Sequence, residues 1–306
     1  MYHLATVYPA VRRFRIPFSR DQMMLLMMAT NELLLGLETY LAHRISGTIT
    51  RYEWIPIIFG PVSGVLLLLA GAMALRKRSL ATVIANLVFL ASIAVGLLGA
   101  YFHIYRALQP LAPAGERVSV PLIVWAPPLL GPLTFALVGL LGISSAWIED
   151  PSDSGRLFLL GGRRISLPYS KTRAYFFMVS MGSLATVISS VLDHARTNFT
   201  NPWLWVPTGV GFFATVIAAV LGILDEPRRS DVLTYLVAMM LMVMVGVLGT
   251  GLHIARNLTE QGTIVDERFI RGAPFLAPLL FADIGSIGLL VLLDPNEKGY
   301  GEKGIR

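Results

Sequence analysis

The sequence predicts an all-α integral membrane protein, with eight transmembrane helices arranged as two parallel four-helix repeats. Three observations predict this fold class: the composition, the length of the apolar runs, and ordered matches between the two halves of the chain. Of the 306 residues, 55% are hydrophobic and only 14% are charged. A soluble domain carries about 25% charged residues. We therefore expect much of the surface to face the lipid bilayer.

Eight apolar runs are long enough to cross the bilayer as helices. A hydrocarbon core about 30 Å thick requires roughly 20 helical residues, and isolated strands would leave their backbone groups unsatisfied in lipid. The predicted spans are 22–44, 55–75, 81–104, 121–147, 173–195, 203–224, 231–254 and 272–293.

The basic residues predict the orientation of these spans. With the N-terminus inside, 17 of the 25 Lys and Arg residues fall on the inner side and 8 on the outer side. Positively charged loops favour the cytoplasmic side, so both termini are expected in the cytoplasm and the protein in the plasma membrane, the inner membrane of a bacterium. The same topology accounts for the net charge of +6, and no nucleic-acid partner is expected. The first residues lack the pattern of a signal peptide.

The two halves of the chain match in order. His43 and Trp54 recur 151 residues later, His103 recurs 150 residues later, and Pro128 and Pro132 recur 146 residues later. Ordered matches of this kind indicate duplication. Four spans per copy give both copies the same orientation, around an axis along the membrane normal. We predict a first repeat at 1–148 and a second at 173–306, joined by a cytoplasmic loop at 149–172.

Four histidines occupy equivalent places at the outer ends of spans 1, 3, 5 and 7. They are His43, His103, His194 and His253. Two histidines at one depth, on two helices of the same half, can ligate one metal from opposite sides. His3, in the N-terminal segment, is assigned no role. The sequence therefore predicts one metal site in each half of the protein.

Small residues below the histidines favour haem b over a bare metal ion. Positions four and seven residues before a histidine share its helix face. A flat macrocycle needs a trench beside its ligand, and small side chains supply one. Below the second histidine of each half, these positions are Gly96, Gly99, Gly246 and Gly249.

Two arginines, Arg106 and Arg256, lie three residues beyond the second histidine of each half. Arg pairs with carboxylates in a forked geometry, so we expect these two to meet haem propionates. Other interpretations stay open, because small residues also line helix contacts in membranes and Arg snorkels at helix ends. The chain has no cysteine, which excludes thioether-linked haem, iron–sulfur clusters and zinc–thiolate sites. Another metal such as copper remains an alternative.

These features lead to three functional hypotheses. The first is electron transfer within a larger membrane complex, with other membrane or periplasmic redox subunits as partners. The layout loosely resembles that of membrane cytochromes b, in which paired histidines on helices hold haem over glycines, although the histidine spacing differs and no residue is carried across. The second is a proton-coupled or metal-ion transporter with a path along Glu32 and Asp283, because intramembrane carboxylates normally face the bundle interior or water. The third is a non-catalytic structural subunit, and no catalytic residue is predicted.

Overall fold

The computed structural model describes residues 2–13, 18–45, 47–74, 76–108, 128–159, 163–259 and 265–294. The described part of the protein is mostly helical (76%). Within the described ranges, the longer helices are α1 (Arg20–Arg44), α2 (Trp54–Ala74), α3 (Arg78–Ala107), α4 (Leu130–Ala146), α5 (Lys171–Ala195), α6 (Trp205–Ile223), α7 (Arg229–Thr259) and α8 (Leu279–Val291). Short helical segments cover Leu4–Val7, Pro9–Arg13, Pro202–Leu204 and Val265–Arg271.

Five helices of the described chain are long and apolar enough to cross a membrane. They are α2, α3, α5, α7, and α6 together with the turn at Pro202–Leu204. Helices α4 and α8 are apolar but shorter, with 17 and 13 residues. Helix α1 has 25 residues but contains Asp21, Glu32 and Glu38. These are the features of a helical membrane protein.

The last helix begins later than the sequence predicts. The predicted span starts at residue 272, whereas α8 starts at Leu279. Pro274 and Pro278 explain the difference, because proline has no N–H to donate within a helix and is favoured in its first turn. The chain before α8 instead forms turns, with the Ala277 N–H donating to the Pro274 carbonyl at 3.2 Å. Helix α4 likewise begins at Leu130, after Pro128, and residues 121–127 of its predicted span lie outside the described residues.

A small sheet occupies the connection that the sequence predicts as a loop at 149–172. Strands β1 (Ile148–Glu149), β2 (Arg156–Phe158) and β3 (Arg164–Ser166) pair antiparallel in that order. Leu157 is its buried residue, at 4% exposure. The Glu149 carboxylate accepts hydrogen bonds from the backbone N–H groups of Gly155 and Lys171, at 2.7 and 2.8 Å. The described part of this connection is therefore a small sheet attached to the start of α5.

The eight helices pack in the same pairs in both halves of the chain. In the first half α1 packs on α2, α2 on α3, α3 on α4, and α4 back on α1. In the second half α5, α6, α7 and α8 repeat these four contacts in the same order. Between the halves, α4 meets α5 and α1 meets α8. The molecule thus consists of two four-helix groups that meet along their first and fourth helices.

Charged side chains join the halves where α1 and α5 begin, the end of the molecule that we call the loop end. The Arg20 guanidinium donates to the Thr172 hydroxyl at 2.8 Å, and the Lys171 ammonium donates to the Asp21 carboxylate at 2.7 Å. Arg20 and Lys171 are 3% and 1% exposed. Both cations also lie over the Tyr175 ring, at 5.5 and 5.7 Å from its centroid.

The N-terminal segment also packs against the loop end. The Tyr2 hydroxyl donates to the Leu224 carbonyl at 2.6 Å, and His3 Nε2 lies 2.8 Å from Asp153 Oδ2. Burial alone would raise the pKa of Asp153, but hydrogen bonds from His3 and Thr172, with the charges of His3 and Arg20, outweigh it and lower that pKa below its ordinary value. His3 therefore has a structural contact that the sequence analysis does not predict.

Candidate functional site

His43 and His103 lie side by side at the end of the molecule opposite the loop end, which we call the histidine end. Helix α1 carries His43 in its last turn, and α3 carries His103 in its last turns. Their ring centroids are 6.3 Å apart, with 65° between the ring planes. The structure therefore brings together the first pair of histidines that the sequence analysis singles out.

Backbone carbonyl groups hold Nδ1 of both rings. His43 Nδ1 lies 2.8 Å from the Thr39 carbonyl oxygen, and His103 Nδ1 lies 2.9 Å from that of Pro128. A carbonyl oxygen only accepts, so Nδ1 carries the hydrogen in each ring and Nε2 is the acceptor nitrogen of the neutral imidazole. Metal-ligating histidines are commonly oriented in this way, by an Nδ1–H bond to a carbonyl or carboxylate.

The second half of the chain repeats part of this arrangement. His253 Nδ1 lies 3.0 Å from the Pro274 carbonyl oxygen, the equivalent of the contact between His103 and Pro128. His194 lies close enough to His253 for their charges to interact. The partner of His194 Nδ1 is the Ser190 hydroxyl, at 3.3 Å. A hydroxyl can donate or accept. The Ser190 contact therefore does not determine the tautomer of His194, whereas the Thr39 carbonyl determines that of His43.

The four glycines below the histidines pack against the fourth helix of their own half. A Cβ atom on Gly96 would lie 2.6 Å from the Ala136 nitrogen, and one on Gly99 would lie 2.8 Å from the Pro132 Cβ. Gly246 makes the equivalent contacts with Ala282 and Pro278, and Gly249 makes them with Pro278. The predicted trench beside these glycines is therefore filled by helix packing. This packing brings α4 and α8 close to the histidine-bearing helices, and with them the carbonyl groups that bond to His103 and His253.

The remaining predicted cofactor residues, Arg106 and Arg256, are exposed at the histidine end. The charge of Arg106 reaches His103. In the part of the chain that the structure describes, no group of three or more His, Asp or Glu side chains could hold a metal ion. Each histidine pair thus offers two ligands. Two ligands are fewer than a structural or catalytic zinc site uses, but they are all that a six-coordinate haem iron takes from a protein.

Glu32, which the sequence places on a transport path, lies sealed inside the first half. Its side chain is 0% exposed. One carboxyl oxygen lies 2.8 Å from the Ser63 hydroxyl of α2, and the other lies 2.5 Å from the Ser92 hydroxyl of α3. Ser63 and Ser92 are absent from the sequence prediction, because a serine in an apolar span carries no signal of its partner.

The equivalent positions in the second half hold a different set of residues. Offsets of 151, 151 and 150 residues relate Glu32, Ser63 and Ser92 to Ser183, Ala214 and Met242. All three of the latter are 0% exposed, and within the described residues the Ser183 hydroxyl has no hydrogen-bond partner. The second half therefore has no carboxyl group at the position equivalent to Glu32.

Asp283, the second carboxyl of the predicted path, lies where α8 meets α1. It accepts a hydrogen bond from the side-chain amide of Asn31 at 2.9 Å. Asp283 therefore contacts the interface between the halves, whereas Glu32 contacts the interior of one half. The two carboxyl groups have different neighbours.

Comparison with protein-family models, with curated proteins and with solved structures finds no match to this chain. Function is therefore inferred from the contacts described above.

Proposed function

We propose that the protein is an electron-transfer subunit of a larger membrane complex, which binds one haem b between two histidines in each half. The pairing of His43 with His103 carries this proposal. The ring centroids of the two histidines lie 6.3 Å apart, so both imidazoles could bind one metal ion through nitrogen–metal bonds of about 2 Å. The Nδ1–carbonyl contacts support it, because they leave Nε2 as the nitrogen that can donate to iron.

Haem accounts for the number of ligands better than a bare ion does. Copper and zinc ions bound by two histidines would need further protein ligands. A bound haem b would supply one-electron redox chemistry. The chain would contribute His43 and His103 in one half, His194 and His253 in the other, and Arg106 and Arg256 for the propionates. The glycines would act indirectly, because they allow the fourth helix of each half to approach the helix that carries the second histidine.

The proposal includes eight spans in two parallel repeats, with the histidine end at the outer face of the plasma membrane and both termini in the cytoplasm. The equal helix pairing of the two halves supports it. So do the contacts at the loop end, because Arg20 and Lys171 are 151 residues apart, as are Asp21 and Thr172. Arg20 thus contacts the residue after Lys171, and Lys171 contacts the residue after Arg20. Reciprocal contacts of this kind are typical of an interface around a twofold axis.

Two haems at one depth would pass electrons sideways, or to a partner at the outer face. They would not by themselves carry electrons across the membrane. Partner redox subunits in the membrane or periplasm are therefore part of the proposal.

The test is a dithionite-reduced minus air-oxidised absorption spectrum of the purified protein, with iron and copper measured in the same sample. We expect the bands of a b-type haem, with about two irons per chain. The variant His103→Ala/His253→Ala should lose most of the pigment, because each site loses one of its two ligands. His3→Ala, which removes a histidine at the loop end, is the matched control and should keep it. A featureless spectrum and no bound metal, from cells supplied with haem, would contradict the proposal.

A further inference from the structure

A small cavity lies between the two halves, where α1 faces α4 and α8. Its volume is about 40 Å³, and its polar lining consists of Asn31, Glu38, Thr134 and Asp283, with leucines around them. A water molecule needs about 10–15 Å³ of such space and two or more polar partners. The cavity is therefore large enough for roughly three water molecules.

The polar groups of the cavity have hydrogen-bonding capacity left for water. Asn31 is 8% exposed, and among the described residues its amide N–H donates to Asp283, so its carbonyl oxygen can accept from a water molecule. The Thr134 hydroxyl donates to the Leu130 carbonyl at 3.2 Å, which leaves its oxygen as an acceptor. No Lys, Arg or His lines the cavity within the described chain.

The two carboxyl groups lie at different depths. Glu38 follows Asn31 by seven residues on α1, which is about 10 Å along the helix toward the histidine end. Glu38 is also within electrostatic range of Asp193, in the last turn of α5. Acidic groups therefore extend in steps from Asp283, beside the middle of α1, to the histidine end of the molecule.

The equivalent interface between α5 and α4 has no carboxyl group at the matching positions. There, Gly182, Ser189 and Leu137 occupy the positions of Asn31, Glu38 and Asp283. A Cβ atom on Gly182 would lie 2.6 Å from Ile284 and 3.1 Å from Leu137. Apolar packing thus closes this interface without a carboxyl group. Because a charged carboxylate within the membrane carries a cost of about 2.5 kcal/mol or more, packing alone does not account for the acidic set.

We propose that the cavity is a proton-access path from the histidine end, through which Asp283 takes up and releases a proton by way of Glu38 and water. A proton passes from water to the Glu38 carboxylate, and then along the water molecules of the cavity to the Asp283 carboxylate. Glu38 and each water molecule release one proton for each proton that they accept. No other bond changes. Asn31 can hold Asp283 in both forms, because its N–H donates to an oxygen of the carboxylate or of the carboxylic acid. This path does not depend on the histidine pairs or on a cofactor.

Labelling of the full-length protein with dicyclohexylcarbodiimide, followed by peptide mass spectrometry, tests the path. The reagent takes the proton of a carboxylic acid on its nitrogen while the carboxyl oxygen bonds to its central carbon, and the adduct rearranges to a stable N-acylurea. We expect Asp283 to be labelled, and the labelling to fall as the pH rises. Glu32, sealed among its serines, should stay unlabelled in the same sample and serves as the internal control.

Two variants sharpen the test. Asp283→Asn should lose the label on its peptide, and Leu280→Phe, which fills the cavity, should lower Asp283 labelling several-fold. Ser189→Phe, at the position equivalent to Glu38 between α5 and α4, is the matched control and should leave Asp283 labelling unchanged. No label on Asp283 at any pH, in wild-type protein whose exposed Glu267 is labelled at low pH, would overturn the proposal. So would equal labelling of Glu32. Neither result bears on the absorption spectrum, so the two proposals fail separately.

Discussion

Each serine beside Glu32 has two acceptors within reach but only one hydrogen to donate. The Ser92 hydroxyl lies 2.8 Å from the Phe135 carbonyl as well as 2.5 Å from Glu32, and Ser63 lies 2.9 Å from the Gly60 carbonyl. A neutral Glu32 resolves this at Ser92, because its O–H can donate to Ser92 while Ser92 donates to Phe135. An unpaired buried charge would cost far more than a lost hydrogen bond. We infer that the carboxylic acid is the form that satisfies this group of residues.

The three residues are therefore expected to act as a unit. Ser92→Met alone should lower the free energy of unfolding by about 1–3 kcal/mol, because it removes a partner of a buried polar group. The variant Glu32→Ser/Ser63→Ala/Ser92→Met copies the second half, and should cost less than the sum of its three single changes. Unfolding in detergent measures both. Thr30→Met, at an exposed site on α1, is the control, and strict additivity of the three changes would contradict the prediction.

The contacts of individual side chains are the part of the structure that the sequence predicts least. Equal depth for His43 and His103 follows from helix length and direction, and the two rings do lie together. The Nδ1 partner of His103 is a backbone carbonyl 25 residues away, and every residue has such a group. The sequence pattern therefore indicates the histidines but not the contacts that orient them.

At the scale of helices, close approach of α7 and α8 depends on glycine at one face only. A Cβ atom on Gly246 would lie 2.8 Å from the Pro278 carbonyl oxygen, whereas one on Gly251 would meet nothing within 4 Å. Gly246→Ala should therefore lower the free energy of unfolding by about 1–3 kcal/mol, because α8 must move. Gly251→Ala, the control on the same helix, should leave it unchanged or raise it by up to about 1 kcal/mol. Equal thermal stability of the two variants would refute this assignment of faces.

Helix positions follow from apolar length, and helix starts follow from local chemistry. The N-terminal starts of α1 and α5 lie within two residues of the predictions, and Ser19 and Ser170 cap them through backbone N–H groups. Helix α8 starts seven residues after its predicted start. Its prolines add to the apolar run on which the prediction depends, but they donate no backbone hydrogen bond. The sheet at 148–166 was missed for another reason: its strands have two or three residues, too few for an alternating pattern.

The two halves of the molecule are joined at the loop end by contacts of the buried cations Arg20 and Lys171. Lys171→Met removes the closer of the two cations beside Asp21 and leaves Arg20 at 4.0 Å. It should lower the free energy of unfolding by about 2–3 kcal/mol, less than for a fully buried pair because Asp21 is 33% exposed. In a double-mutant cycle with Asp21→Asn, the coupling should exceed about 1 kcal/mol. The exposed pair Arg271 and Glu267, with its N–O distance of 3.1 Å, is the matched control and should couple by less than about 0.5 kcal/mol. Equal coupling in both cycles would show that the loop end does not join the halves.

The loop-end contact also has a consequence for the order of synthesis. The first half leaves the ribosome carrying both kinds of partner, the cation of Arg20 and the carboxylate of Asp21. Two copies of that half could make the contact twice, as a homodimer. The second half carries Lys171 and Thr172, and two copies of it would bring two lysines together without Asp21, the carboxylate to which Lys171 donates. A prematurely terminated chain could thus pair its Arg20 and Asp21 with those of a second copy, whereas a chain with both halves makes these contacts within itself.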